Sequence, residues 1–167
     1  DVARLVAADR RADDTMGEAV ALSGDVLAAG RPASVAVNDI AQNTRPGSVV
    51  LFGRNQGAAT GWDEVQTLDP SDGAANDRFG AALALDASTL VVGAPDADIG
   101  DNVDQGAVYV FAPDPAAPGR WIEVQKLVAP GGTANAHFGQ ALSLNGGGLL
   151  VGADGSAHLF YRGDTWQ

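Results

Sequence analysis

Phe79-Gly80-Ala81-Ala82-Leu83-Ala84-Leu85, then Leu90-Val91-Val92-Gly93-Ala94-Pro95, then Gly106-Ala107-Val108-Tyr109-Val110-Phe111, then Trp121-Ile122-Glu123-Val124-Gln125-Lys126-Leu127: these four runs decide the fold. Each is short and apolar, and Asp, Ser, Gly and Pro separate it from the next, so residues 79–127 read as four strands joined by turns. The same unit stands on either side. Gly17, Gly80 and Gly139 open it at periods of 63 and 59 residues, and Gly30, Gly93 and Gly152 each follow 13 residues later. Met16, Phe79 and Phe138 precede the first glycine, Phe52, Phe111 and Phe160 end the third strand, and Trp62, Trp121 and Trp166 open the fourth. Three copies at such a period denote a repeat architecture whose length variation sits in loops.

The third strand is apolar at nearly every position, as in Val49-Val50-Leu51-Phe52. A strand that does not alternate is covered on both faces. Four-stranded sheets covered on both faces and repeated along a chain are the blades of a propeller. The expectation is therefore an all-β fold, a β-propeller of four-stranded antiparallel blades, three of them in this chain. Residues 1–5 read as the end of an outer fourth strand, 6–68 as blade 1 and 69–127 as blade 2. Residues 128–167 read as blade 3, without the end of its fourth strand. Strand one is expected at 17–22, 80–85 and 138–144. The third unit has lost the long loop between its second and third strands, and Asp154-Gly155 predicts a tight hairpin there.

Composition narrows the function. The net charge of −11 repels nucleic acid and anionic membrane surfaces alike. No apolar run reaches the ~18–20 residues of a membrane-spanning helix. The acid is 18 Asp to 3 Glu, and Asp belongs to turns and loops. The absence of cysteine removes disulfides and thiolate chemistry. The chain opens on Asp1 and not on methionine, and is read as a processed or excised piece.

The runs from Leu68-Asp69-Pro70-Ser71-Asp72 through Asn76-Asp77-Arg78-Phe79-Gly80, then Val91-Val92-Gly93-Ala94-Pro95 and Gly106-Ala107-Val108-Tyr109-Val110-Phe111, resemble the FG-GAP repeat of bacterial secreted and surface proteins. The resemblance covers nearly the whole chain and is more distant to the propeller of integrin α subunits. It implies an extracellular or cell-surface location in a bacterium, and a binding or scaffold role. Integrin-type repeats carry a calcium loop between strands one and two. Here that position holds only Ser23-Gly24-Asp25, Asp86-Ala87-Ser88-Thr89 and Asn145-Gly146-Gly147-Gly148, which lack the oxygen ligands calcium needs.

Antiparallel order sorts the loops onto two faces. Loops 2–3 and 4–1 share one face with Asp9, Asp13, Asp14, Asp39, Asp69, Asp72, Asp77, Asp96, Asp98, Asp101, Asp104 and Asp154, against Asp25, Asp86, Asp114 and Asp164 on the other. Asp96, Asp98, Asp101, Asn102 and Asp104 are the densest oxygen-ligand cluster and the candidate metal set, with calcium the expected ion. Asp72 and Asp77 are expected to fix the loop entering strand one. The tryptophans read as packing between blades, or else as sugar-stacking platforms. His158 is read as a packing residue, and His137, in the slot of Arg78, has no partner that the sequence names. No nucleophile, base and orienter stand together, so no catalytic residue is assigned.

The expectation is a non-catalytic extracellular module that binds a protein through its acidic face, with calcium as a possible bridge. A lectin-like, carbohydrate-binding propeller and a hydrolase subunit are the alternatives. Trp166-Gln167 followed by Asp1-Val2-Ala3-Arg4-Leu5 would rebuild one fourth strand, so a head-to-tail homodimer completing a six-bladed ring is expected as well.

Overall fold

A computed structural model describes residues 3–9, 15–32, 45–55 and 57–167 of the chain. Asp1, Val2, Asp13, Asp14 and Asp39 lie outside the described residues. Eleven strands and no helix are present among the described residues. β1 (Val20–Ser23), β2 (Val26–Arg31), β3 (Ser48–Arg54) and β4 (Trp62–Leu68) form the first sheet. β5 (Ala82–Leu85), β6 (Leu90–Ala94), β7 (Ala107–Pro113) and β8 (Trp121–Leu127) form the second, and β9 (Ala141–Asn145), β10 (Gly148–Ala153) and β11 (Ser156–Tyr161) the third. Every pairing is antiparallel between strands consecutive in sequence. These are three blades of a β-propeller. The first strands, β1, β5 and β9, lie beside one another, so they are the inner strands and the sheets fan outwards from them.

The first strands begin later than the apolar pattern predicts, for a backbone reason. Gly17, Gly80 and Gly139 have φ of 98°, 96° and 97°, outside the extended region. In each blade the residue after the glycine donates its N–H to the carbonyl two residues before it: Glu18 to Thr15 (3.1 Å), Ala81 to Arg78 (3.0 Å) and Gln140 to His137 (3.2 Å). A glycine with positive φ at the third place of a four-residue turn is the type II pattern. The Phe-Gly pair is therefore a turn into the strand and not its first residues. The aromatic residue it carries is driven inwards: Phe79 and Phe138 are fully buried, edge-on to Phe111 and Phe160 at 6.0 and 5.9 Å. Each such side chain contributes about 1.5–3 kcal/mol on burial.

Adjacent blades meet backbone to backbone. A Cβ on Gly30 would lie 2.0 Å from the carbonyl oxygen of Gly80, and one on Gly93 2.0 Å from that of Gly139. The Phe79 N–H donates across the first junction to Pro46 O (2.7 Å), and the Phe138 N–H across the second to Gln105 O (2.9 Å). The apolar core divides accordingly. Val49, Leu51 and Leu68 of the first sheet pack with Phe79, Val92, Phe111 and Trp121 of the second, and Val91, Val110 and Leu127 of the second with Phe138, Val151, Phe160 and Trp166 of the third.

The outer edge is held by a different device. The ladder slips between Leu51 and Phe52, and again between Val110 and Phe111, so Val65 and Val124 are bulged and have no partner in it. The residues that follow the bulge reach the next blade. Gln66 donates from Nε2 to Trp121 O and accepts from Trp121 N, both at 2.8 Å. Gln125 does the same for Trp166, at 3.0 and 2.9 Å. Trp62 is served by its own neighbour, for Thr60 Oγ1 donates to its carbonyl (2.8 Å). Trp121 and Trp166 are buried in the junctions, as the packing reading expects.

In the third sheet β10 and β11 are joined through Asp154-Gly155 as a two-residue hairpin. A fourth-strand start is present only as the bridge between Arg162 and Trp166. Ala3, Arg4 and Leu5 lie in no strand.

Replacing Gly93 by alanine is expected to cost about 2–4 kcal/mol, since a carbonyl occupies the place of the new methyl. Gly147→Ala, with nothing within 4 Å, should stay within about 1 kcal/mol of the parent. Urea denaturation of the two variants checks this, and equal losses would refute the junction.

Candidate functional site: the acidic loop face

The turns into β1, β5 and β9 open on one face, together with the loops that join each second strand to the third. Thr15, Arg78 and His137 hold one slot in the three turns. Arg78 and His137 have left-handed backbones, φ 55° and 46°, which is uncommon for such residues. Their carbonyls accept the turn bond, and their side chains run sideways to the neighbouring blades.

The result is a chain of polar contacts across all three blades. Arg78 Nη2 pairs with Glu18 of the first blade at 2.8 Å, and its Nη1 lies 3.8 Å from Asp96. Asp96 Oδ1 is 3.9 Å from His137 Nε2, and His137 Nδ1 is 3.0 Å from Asp154 Oδ2. Gln140 Nε2 donates to the other Asp154 oxygen at 2.8 Å. Desolvation by the surrounding protein raises the pKa of Asp96, against the pull of Arg78 and His137. That of Asp154 is lowered, first by the Gln140 hydrogen bond and then by His137. His137 thus has partners after all, one on its own blade and one on the blade before. The signal was present in its equivalence to Arg78, but the distances that make it a pair were not.

The loop 4–1 aspartates divide by role. Asp77 is buried, accepts from the Ala74 N–H at 2.8 Å and has its pKa raised by desolvation, as suits a residue that builds its own loop. Asp72 accepts from Lys126 Nζ at 2.7 Å and from the Tyr109 hydroxyl at 2.8 Å. The Lys126 bond is the main cause that lowers its pKa, and burial opposes it. The Tyr109 pKa is raised by desolvation and then by Asp72. Asp9, in the matching place of the first blade, is held instead by Arg31 at 2.7 Å. The loop-fixing role expected for Asp72 and Asp77 is what these contacts describe. His158 packs edge-on against Phe138 at 5.4 Å, in line with its reading as a packing residue.

The five candidate metal ligands occupy one loop. Asp96 faces Arg78 and His137. Asp98 Oδ1 accepts from the Asp104 N–H at 2.9 Å, closing the loop on itself. Asn102 donates its amide to Gln105 Oε1 (2.8 Å) and Gly132 O (3.3 Å), while its backbone bridges Ile99. Asp101 is exposed and Asp104 half-exposed. Among the described residues no three His, Asp or Glu side chains are grouped so as to hold a metal ion. What the loop docks on is the turn into the next blade, through Asn135 N to Val103 O (2.8 Å) and His137 N to Asp104 O (3.1 Å).

The family model of the FG-GAP repeat matches residues 1–52, 62–111 and 121–164. The chain belongs to the FG-GAP repeat family. No curated protein matches it. The second and third FG-GAP matches each start on a fourth-strand tryptophan and run through the first three strands of the next sheet, β4 to β7 and β8 to β11. An FG-GAP repeat here is thus one blade junction and not one blade. That is why the turn residues of successive repeats, Thr15, Arg78 and His137, come to line one face.

Asp72 gives the face a pH signature. Its folded pKa is depressed, so its contribution is present above the unfolded carboxylate value and is lost as pH falls through the folded one. Lys126→Met should lower the melting temperature by roughly 1–3 °C near pH 7, the discounted worth of a part-exposed pair. Once the pH has fallen below that depressed folded value the gap should close, because both chains then carry a protonated Asp72. A gap of equal size at both pH values would assign the effect to packing of the Lys126 stem over the Tyr109 ring.

Proposed function

We propose that this FG-GAP segment is a non-catalytic binding module, working outside the cell or at a bacterial surface, whose acidic loop face recruits a basic protein segment. The observation that carries this reading is the surplus of carboxylate over cations on that face among the described residues. Arg31, Arg78 and Lys126 are each engaged with a carboxylate of the same face, His137 hydrogen-bonds Asp154, and Arg45 is the one further described cation of these loops. Asp69, Asp98, Asp101 and Asp104 have no basic partner among the described residues. A lysine- or arginine-rich segment lying across the inner ends of the blades would meet these groups, and long-range attraction by a chain of net charge −11 would speed its arrival. The reading uses the carboxylates themselves, without a bridging calcium ion.

The carbohydrate reading is less well supported, because Trp121 and Trp166 are buried and the half-buried Trp62 has the Arg54 guanidinium over its ring at 4.8 Å. The hydrolase reading would rest on His137 and Asp154, but His137 is also turned to Asp96 of the second blade and this reading assigns it to the tie between those two blades.

Binding of an octalysine peptide measured by interferometry tests the proposal. Micromolar capture at low salt is expected, weakening steeply towards physiological ionic strength and unchanged by a chelator. Asp98→Asn with Asp101→Asn should weaken it about 3- to 10-fold, at roughly 1 kcal/mol for two exposed charges. Asp86→Asn with Asp114→Asn, on the opposite face, should leave it unchanged. Equal losses in the two pairs would reduce the effect to net charge and overturn the proposal, and loss on chelation would assign it to calcium.

A further inference from the structure

The second blade junction departs from the first at the end opposite the acidic face. Between the turn that precedes β6 and the turn 162–165 that follows β11 lies a cavity of about 90 Å³, with Thr89, Phe111, Val124, Arg162, Thr165 and Trp166 among its walls. The matching places of the first junction hold Val26 for Thr89 and Pro113 for Arg162. Val26 packs against the core there, so the first junction closes with apolar residues at both places. Thr89 is 2% exposed, which sets its hydroxyl inside the second junction. Arg162 gives the departure its sense. Its backbone N–H donates to Gly147 O at 2.9 Å, as that of Arg54 does to Asp25 O at 2.9 Å in the first blade. Arg54 turns its guanidinium onto the Asp25 carboxylate at 2.7 Å. In the third blade Gly147 stands in the place of Asp25, and the Arg162 guanidinium crosses to the second blade instead. Its Nη1 donates to Thr89 Oγ1 at 3.0 Å and to Ser88 Oγ at 3.3 Å, and its central carbon lies 6.0 Å from the centre of the Trp166 ring. Among the described residues no carboxylate is paired with it.

We infer that this cavity binds a small aliphatic monocarboxylate, whose head group takes for Arg162 the part that Asp25 plays for Arg54. A guanidinium has five N–H donors in a fixed fork that matches a carboxylate. The hydroxyls of Ser88 and Thr89 hold it by Nη1 alone, which aims the fork and leaves its other donors for a guest. Phe111, Ala112 and Val124 supply an apolar wall for a short hydrocarbon chain, and such a mixture of apolar lining with a few placed polar groups is what a small-molecule site requires. Size limits the guest. A water takes about 30 Å³ in the liquid, so the cavity has room for about three waters, or for a carboxylate and a few methylene groups. A second negative charge is opposed twice, by Asp164 on the same cavity and by the net charge of −11. The ligand is therefore a monoanion, in preference to phosphate or a dicarboxylate. The walls belong to β7, β8 and the turns beside them, so the site is internal to one junction and owes nothing to the outward sides of the first and third blades. It lies on the face opposite the acidic loops and stands or falls without the reading proposed for them.

Titration of the nitrogen-15-labelled chain with sodium butyrate, followed by proton–nitrogen NMR, tests the site. Saturable shifts are expected at the amides of Thr89, Ala112, Val124 and Thr165 and at the Arg162 side chain, with a Kd of roughly 1–10 mM for one charge-assisted pair and so few atoms. Arg162→Lys keeps the charge and loses the fork, and should weaken binding about 5-fold. Arg162→Gln should abolish the shifts. Arg162 is exposed, so both variants should keep the parent spectrum elsewhere. Thr89→Val, which installs the residue of the first junction, removes an acceptor that aims the guanidinium and should weaken binding as well. Asp98→Asn with Asp101→Asn, on the acidic face, should leave it unchanged. Equal affinity in the parent and in Arg162→Gln would overturn the inference. So would shifts spread evenly over Arg54 and Arg120, and so would phosphate or succinate that binds more tightly than butyrate.

Discussion

The approach of one backbone to the next at Gly30 with Gly80, and at Gly93 with Gly139, sets the geometry on which the other contacts depend. No side chain larger than hydrogen fits at Gly30 or Gly93, so the inner ends of the sheets touch main chain to main chain. Sheets pinned together at the inner end diverge towards the outer one, and the space between them must be filled. Phe79 and Phe138 fill it near the inner end, Trp121 and Trp166 near the outer, and Gln66 and Gln125 fasten the tryptophan backbones where the sheets are furthest apart. The bulges at Val65 and Val124 belong to the same scheme, for they place a glutamine where it can reach across.

The constraint also explains how the fold can vary the chemistry of one face. Because each junction repeats the one before, equivalent turn residues arrive at equivalent places on one face, and the chemistry of that face is changed by changing one slot. Thr15, Arg78 and His137 are three fillings of that slot. Asp9 and Asp72 are a second series, held by Arg31 in one blade and by Lys126 with Tyr109 in the next. The scaffold is indifferent to which filling is used, so the chemistry of the face can change while the propeller stays the same.

The blades were legible in the sequence because a sheet covered on both sides needs apolar residues at every place, and that pattern survives without knowledge of the partner. The starts of the first strands are not legible in the apolar pattern. Phe79-Gly80 looks like the opening of an extended run, and only the sign of φ at the glycine shows it to be a turn. The glutamine clamp was visible in principle, since Gln66 and Gln125 stand at one place relative to Trp62 and Trp121, yet a polar residue in an outer strand gives no hint of reaching another sheet. The Asp-rich loop illustrates the reverse difficulty. Counting oxygens cannot tell a ligand from a cap, and Asp98 closes its own loop while Asp96 faces Arg78 and His137. The pairing of His137 with Asp154 depended on the short hairpin of the third blade, whose presence was legible but whose reach was not.

Native-state hydrogen exchange at the Phe79 and Phe138 amides tests the junctions most directly, since each donates its N–H to a carbonyl of the preceding blade. Blades that are one cooperative body through these contacts should release the two amides only with global unfolding, at the same free energy as amides in the middle of β7. Exchange of Phe79 or Phe138 by local opening, while β7 stays protected, would contradict the account, because the sheets would then be stable without the junctions said to hold them.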